Sequence, residues 1–339
     1  MWSVVAKGVP EHVVDRADEL LEQLRGTVLP AVLTPMDERG VVDLGVLRDY
    51  AARLDAAPVG GFAVWAHTGR GLYLSEADRV AVLRTWREAT DKPLVAGAGV
   101  PRDVAPGATV AEAEAAVEAM AVTAAGLGAD AVMVYPLSAL AGHADGHARA
   151  VRLHERVAEA SGLPVLGFFL HGEAGGYEYP PALIRDLLAL PGALGVKLAT
   201  LDRAMACQDA IRAAQATDGL VVTGEDRMFG PSLMWGADTA LVGIAAARAE
   251  LTTAVLDAWR RGDAAEFVRA SGRLDRFAEA AFYAPIEGYV QRMHWAAVWE
   301  GLVPEGWGHD PYGVGVGVGE RERVMGCLEE LGRELGAEG

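Results

Sequence analysis

Cysteine is scarce in this sequence. Cys207 and Cys327 are its two cysteines, they lie far apart, and no His/Cys cluster surrounds either. That argues against a disulfide framework or a zinc site and fits a reducing compartment. Basic charge is in deficit as well: 30 Lys and Arg stand against 47 Asp and Glu, a formal net charge of −17. Nucleic acid and anionic membranes both demand a basic face, so neither is expected as a partner. An anionic small molecule stays open, since it needs only a local positive pocket. No run approaches the roughly 20 apolar residues of a membrane span. The first 25 residues carry several acids and lack both a long apolar core and a small-residue cleavage site. A surface helix over about Glu11–Leu24 is expected there, not a signal peptide. These absences together predict a soluble, cytoplasmic protein.

What is present is apolar surface in quantity: 51% of residues are hydrophobic and 23% charged, enough for a sizeable core. Short apolar runs recur at even intervals: VLPAVLT (28–34), GGFAVWA (60–66), PLVAGAG (93–99), AVMVYP (131–136), PVLGFFL (164–170), ALGVKLA (193–199), LVVTGED (220–226) and ALVGIAA (240–246). Continuous apolarity over so short a length suits strands buried on both faces, as in parallel sheets. Segments with helical periodicity lie between them, some opened by start signals such as Ser75 before EADR and Pro180–Pro181 before ALIRDLL. Eight strands alternating with helices over about 220 residues is the arithmetic of a (β/α)8 barrel. A doubly wound sheet is the competitor, but its glycine-rich phosphate turn is missing: the first run ends Thr34-Pro35-Met36-Asp37. The expected organisation is an N-terminal helical extension (1–25), a (β/α)8 TIM barrel (26–249) and a C-terminal helical segment (250–339). Within the last, PYGVGVGVGE (311–320) reads as a connecting loop, with no Lys-Ser/Thr to make it a phosphate cradle.

In a barrel, chemistry belongs at the C-terminal ends of the strands. The sixth run, ALGVKLATL (193–201), is small or apolar except for Lys197. An ammonium ion without a partner is a poor guest there, because desolvating it costs several kcal/mol. If Val196 and Leu198 face the helix layer, period-two alternation points Lys197 into the barrel. Burial then lowers its pKa from about 10.4 and yields a neutral amine, a nucleophile for ketones.

The order of GTVLPAVLTPMDERGVVD, HTGRGLYLSEADR, PLVAGAGV, ADAVMVYP, GVKLATLD and GEDRMFGPSLMWGADTALVGIAA resembles the dihydrodipicolinate synthase/N-acetylneuraminate lyase family over about residues 26–310. The resemblance implies a class I, Schiff-base aldolase or lyase on a TIM barrel. It implies an imine between Lys197 and pyruvate or another 2-oxo acid, with an aldehyde-type co-substrate. It implies no metal or organic cofactor, and a homodimer or homotetramer. The family's G-[TS]-T-G-E turn corresponds to Ala66-His67-Thr68-Gly69-Arg70. Thr68 then matches the hydroxyl residue that binds the 2-oxo acid carboxylate and relays protons, and the turn's backbone amides, Gly69 among them, suit a carboxylate.

The chain also departs from that pattern. His67 replaces a hydroxyl residue and offers either an acid/base imidazole or a hydrogen-bonded structural one. Arg70 replaces a carboxylate and offers either a bidentate clamp for substrate or an ion pair. Phe168 stands where the family carries a proton-shuttling tyrosine. Glu173 stands where synthases place an arginine for the distal carboxylate. The resemblance thus points away from an authentic dihydrodipicolinate synthase. It leaves proton transfer to His67, Tyr135, His171 or Glu173, with Ile244 among the residues lining the substrate. Imine-based dehydration or decarboxylation is a close variant, and a barrel retaining only ligand binding is the rival reading. His143 and His147 are four apart, but no HExxH surrounds them and no metal site is expected.

Overall fold

The computed structural model describes residues 8–338, so the first seven residues of the expected N-terminal extension lie outside it. Helix α1 (Glu11–Leu24) precedes eight strands: β1 (Val28–Pro30), β2 (Phe62–Val64), β3 (Leu94–Ala98), β4 (Ala131–Val134), β5 (Val165–Leu170), β6 (Ala193–Ala199), β7 (Leu220–Thr223) and β8 (Thr239–Val242). Between them run α2 (Leu44–Asp55), α3 (Glu76–Ala89), α4 (Val110–Gly126), α5 (Gly146–Ser161), α6 (Pro181–Leu188), α7 (Ala204–Ala214) and α8 (Phe229–Trp235). After β8 come α9 (Ala249–Arg260), α10 (Ala264–Ala281), α11 (Tyr289–Trp299) and α12 (Glu320–Glu338).

All strand pairings are parallel, in the order β1-β8-β7-β6-β5-β4-β3-β2. Ala31 bridges to Ala63 and the Val32 amide donates to the Ala63 carbonyl at 3.1 Å, which brings the outer strands together and makes a (β/α)8 TIM barrel. The start signals act where the sequence shows them: Ser75 Oγ accepts the Asp78 amide at 3.1 Å, and α6 opens on Pro181. A larger core packs the helices on the outer face of the strands. A smaller one fills the barrel with Leu29, Met133, Leu166, Leu220 and Leu241. Leu20 and Leu24 of α1 belong to that interior core, so the amphipathic face of α1 stoppers the N-terminal mouth and leaves the opposite mouth for chemistry.

One buried side chain sets an acid limit on the fold. His294 of α11 is fully buried, and neither ring nitrogen has a hydrogen-bond partner among the described residues. Burial pushes its pKa down to about 4, against about 6.5 unfolded. The unfolded chain therefore binds the extra proton between those values, so stability is whole above about 6.5 and falls as pH drops toward 4. The loss from this group reaches on the order of 3 kcal/mol at pH 4. Glu225, raised by burial to about 7, pulls in the other direction. The difference between His294→Phe and the parent chain is therefore the quantity to measure. Urea midpoints between pH 4 and 7 are expected to fall less steeply with acid in the variant.

Candidate active site

Lys197 lies inside the barrel because β6 changes phase. Pairing with β5 steps from Val165 opposite Ala193 to Leu166 opposite Gly195, so Leu194 is an extra residue in a β-bulge. Beyond the bulge, Val196 and Leu198 pack outward with the helices, and Lys197 lies beside Phe168 and Val222 of the neighbouring strands. Its side chain is 6% exposed and its Nζ stands 4.3 Å from the centroid of the Phe168 ring. Burial drives the lysine pKa down, and the neighbouring charges of Asp226 and then Glu225 recover only part of the shift.

Those carboxyl groups follow β7 and are themselves held. Asp226 Oδ1 accepts the Ile244 amide at 2.8 Å, which is where Ile244 enters the site. Glu225 Oε1 accepts the amide and hydroxyl of Thr200 at 2.6 and 2.7 Å. Burial raises both carboxyl pKa values. Burial thus favours the neutral forms of the amine and of both carboxyl groups beside it.

The turn after β2 forms the opposite wall. Thr34 Oγ1 donates to the Gly69 carbonyl at 2.8 Å, and a Cβ on Gly69 would meet the Val32 carbonyl oxygen at 2.6 Å, so only glycine lets the turn lie this close to β1. Trp65 and Arg70, on either side of the turn, have φ of 59° and 53°, a left-handed backbone that bulky residues seldom adopt. Thr68 is buried, with its Oγ1 3.1 Å from the hydroxyl of Tyr289. His67 Nε2 lies 2.9 and 3.0 Å from the two oxygens of Glu287.

Arg70 is 1% exposed and enclosed by ion pairs within its own chain. Its Nε and Nη2 donate to Asp310 at 3.1 and 2.7 Å, and Nη1 donates to Glu287 at 2.8 Å. Burial alone would raise the Glu287 pKa, but His67 and then Arg70 outweigh it and hold the carboxyl at about 2. The side chain of Asp310 is fully covered too. Asp310→Ala would leave the guanidinium short of a buried partner and is expected to cost about 3 to 5 kcal/mol, read as a lower urea midpoint. Asp310→Asn, which keeps one acceptor oxygen, is expected to cost less.

The chamber around Lys197 holds about 60 Å³ and is lined by Thr68, Phe168, His171, Asp226 and Tyr289, among others. His67 and Leu170 also line an outer cleft of about 450 Å³, with Arg70, Tyr135, Ser138, Glu173 and Glu287. Of the sequence candidates, Lys197, Thr68, His67, Phe168 and His171 meet at the inner chamber. Arg70, Tyr135 and Glu173 border the outer cleft only. Tyr135 commits its hydroxyl to the Trp65 carbonyl at 3.1 Å, and Glu173 is exposed, 3.1 Å from His171 Nδ1. Glu287, Tyr289 and Asp310 join the site unannounced by the sequence pattern, which past residue 250 shows helices and the connecting loop at 311–320. The break at Pro285 and Gly288 in PIEGYVQRM, where a short turn separates α10 from α11, is the signal that marks them.

A barrel with a lysine buried at its C-terminal mouth is the arrangement a class I, lysine-dependent aldolase or lyase needs. The profile of the Dihydrodipicolinate synthetase family matches residues 24–315, and the chain belongs to that family. Over 269 residues it is 29% identical to a 4-hydroxy-tetrahydrodipicolinate synthase of Bifidobacterium animalis subsp. lactis, covering 75% of this chain and 76% of that one. The crystal structure of YagE, a prophage protein of the dihydrodipicolinic acid synthase family from E. coli K12 in complex with pyruvate, superposes with a TM-score of 0.77 at 21% identity. That match covers 90% of this chain and 98% of the other. A sialic acid aldolase of Ruminococcus gnavus superposes with a TM-score of 0.74 at 17% identity, over 92% and 99% of the two chains. At such identities these two structures speak for the fold. Among the described residues no helix is long and apolar enough to cross a membrane.

Proposed function

We propose that this enzyme makes or breaks a carbon–carbon bond of pyruvate or another 2-oxo acid through an imine on Lys197. The observation that carries the reading is the placement of Lys197: 6% exposed, in a chamber of about 60 Å³, with Thr68 among the lining residues. A neutral Nζ attacks C2 of the 2-oxo acid, and the adduct loses water to give a protonated imine. That cation draws electrons from the bond at C3, which stabilises the enamine needed for aldol addition or cleavage. The Thr68 hydroxyl and the amides of its turn receive the substrate carboxylate. The E. coli relative with pyruvate bound supports the choice of 2-oxo acid.

The second substrate differs from that of a lysine-pathway synthase. β5 carries Phe168, and the loop after it carries the exposed Glu173, a carboxylate that offers a distal carboxylate no clamp there. An aldehyde bearing hydroxyl or amino groups fits it better. Incubation with pyruvate and borohydride, then peptide mass mapping, is expected to find the reduced adduct on Lys197. Failure across a panel of 2-oxo acids would refute the reading. Production of 4-hydroxy-tetrahydrodipicolinate at an ordinary enzymatic rate would refute its second half.

A further inference from the structure

The chamber around Lys197 has an apolar ring where imine chemistry calls for a mobile proton. On β5 the position facing the lysine is Phe168, which has no proton to give. Tyr135 touches that ring edge-on at 5.4 Å, but its hydroxyl is bonded to a carbonyl and it borders only the outer cleft. His67 faces the Glu287 carboxylate. Beside Thr68, a phenol lines the inner chamber from outside the eight strands, that of Tyr289 at the start of α11.

Its surroundings tie it to the reacting centre. The hydroxyl lies 3.1 Å from Thr68 Oγ1, and Tyr289 and Lys197 line the same small chamber. A Cβ on Gly243, just past β8, would meet Thr68 Oγ1 at 2.8 Å, Tyr289 Cε2 at 3.1 Å and Asp226 Oδ1 at 3.7 Å. Threonine, tyrosine and aspartate thus crowd one point at the barrel mouth. The ring of Tyr289 stacks on Phe282 at 4.8 Å, which fixes the direction of the hydroxyl.

We infer that Tyr289 supplies the phenol that β5 lacks and acts with Thr68 as the catalytic proton relay for imine formation at Lys197. The inference rests on the imine reading above. As the Nζ lone pair forms the bond to C2, the carbonyl π pair moves onto oxygen. The nitrogen gives a proton to one hydroxyl of the Thr68–Tyr289 pair, that hydroxyl passes its own proton to the other across the 3.1 Å contact, and the other gives its proton to the substrate oxygen. The result is a neutral carbinolamine with both hydroxyl groups restored. A second proton, taken from solvent through the outer cleft, passes along the pair to the carbinolamine oxygen. Water then leaves, and the nitrogen lone pair closes the C=N bond with the positive charge on nitrogen.

The test compares initial rates of borohydride-trapped pyruvate adduct on Lys197 in three full-length chains. Tyr289→Phe keeps the stack on Phe282 and is expected to fold as the parent does by circular dichroism. It is expected to trap about 100-fold more slowly, the lower bound for losing a positioned acid–base group. Adding Phe168→Tyr returns a phenol to the lysine from β5 and is expected to recover at least about tenfold of that loss. Trapping at the parental rate by Tyr289→Phe overturns the assignment. So does a slow variant that Phe168→Tyr fails to rescue, since that is the mark of a packing role. If Tyr289→Phe does not fold, a ring-fluorinated tyrosine at position 289 keeps the shape and shifts the phenol acidity. An unchanged rate then overturns the assignment and a changed one supports it. A parent chain that traps no 2-oxo acid overturns the lyase reading itself, an outcome distinct from equal trapping in both chains.

Discussion

Replacing Lys197 with methionine is expected to abolish borohydride trapping of pyruvate and to reduce turnover by roughly four orders of magnitude or more, the scale on which a covalent nucleophile is lost. Methionine has nearly the length of lysine and no charge, so the barrel interior should stay filled. The parent chain should also show a signature in pH. Burial holds the Lys197 pKa below its ordinary value, so the neutral amine is scarce in acid and accumulates as pH rises through that lowered pKa. The trapping rate should climb with pH and level off well before 10.5. A rate that is flat between pH 6 and 9 would show that the amine does not limit the reaction. The methionine variant should also change how stability depends on pH. Asp226 already has a raised pKa through burial and loses the cation that partly offsets it. Its folded pKa rises further above the unfolded one, so the contribution it makes when protonated is lost as pH rises through the new value. Relative to the parent, Lys197→Met should therefore be favoured near pH 5 and disfavoured near pH 8, measured as urea midpoints.

The barrel was legible because its physics is local and repeated. Eight runs apolar on both faces, each followed by an amphipathic helix, leave few other ways to bury so much surface. Lys197 was legible for the opposite reason, as a charge that such a run should not contain. The partners of the β2 turn were not legible. His67 and Arg70 are ambiguous in sequence because their significance lies in Glu287 and Asp310, more than 200 residues away. Helical periodicity past residue 250 shows which faces are apolar and gives no sign that the turn before α11 reaches over the barrel mouth. The same long-range contact carries Tyr289 to Thr68. Arg70, a guanidinium 1% exposed with two carboxylates around it, ties the C-terminal segment to the β2 turn and also borders the outer cleft.

Gly195→Ala should damage the enzyme from a position with no chemistry of its own. Strict alternation from Leu194, which packs in the barrel interior, would turn Val196 inward and Lys197 out among the helices. The bulge at Leu194 and Gly195 resets the phase, and it depends on a residue without a side chain. A Cβ on Gly195 would lie 2.3 Å from the Leu220 carbonyl oxygen and 2.8 Å from Leu220 Cβ. Both atoms belong to β7, which pairs with β6 at this point, so neither can yield without parting the strands. An overlap of this depth in a packed core is expected to cost about 2 to 4 kcal/mol, seen as a lower urea midpoint. It should also displace Lys197, two residues further along the strand. A shift near 1 Å at a reacting group costs about 100-fold. Imine trapping should therefore fall well beyond the share of chains that unfold, measured at a urea-free concentration where circular dichroism shows the variant folded. If Gly195→Ala folds and traps pyruvate at the parental rate, the lysine does not owe its inward placement to the bulge. Should the loss appear as expected, a glycine buried at the base of β6 decides whether the amine at its top is a nucleophile or a charge misplaced among helices.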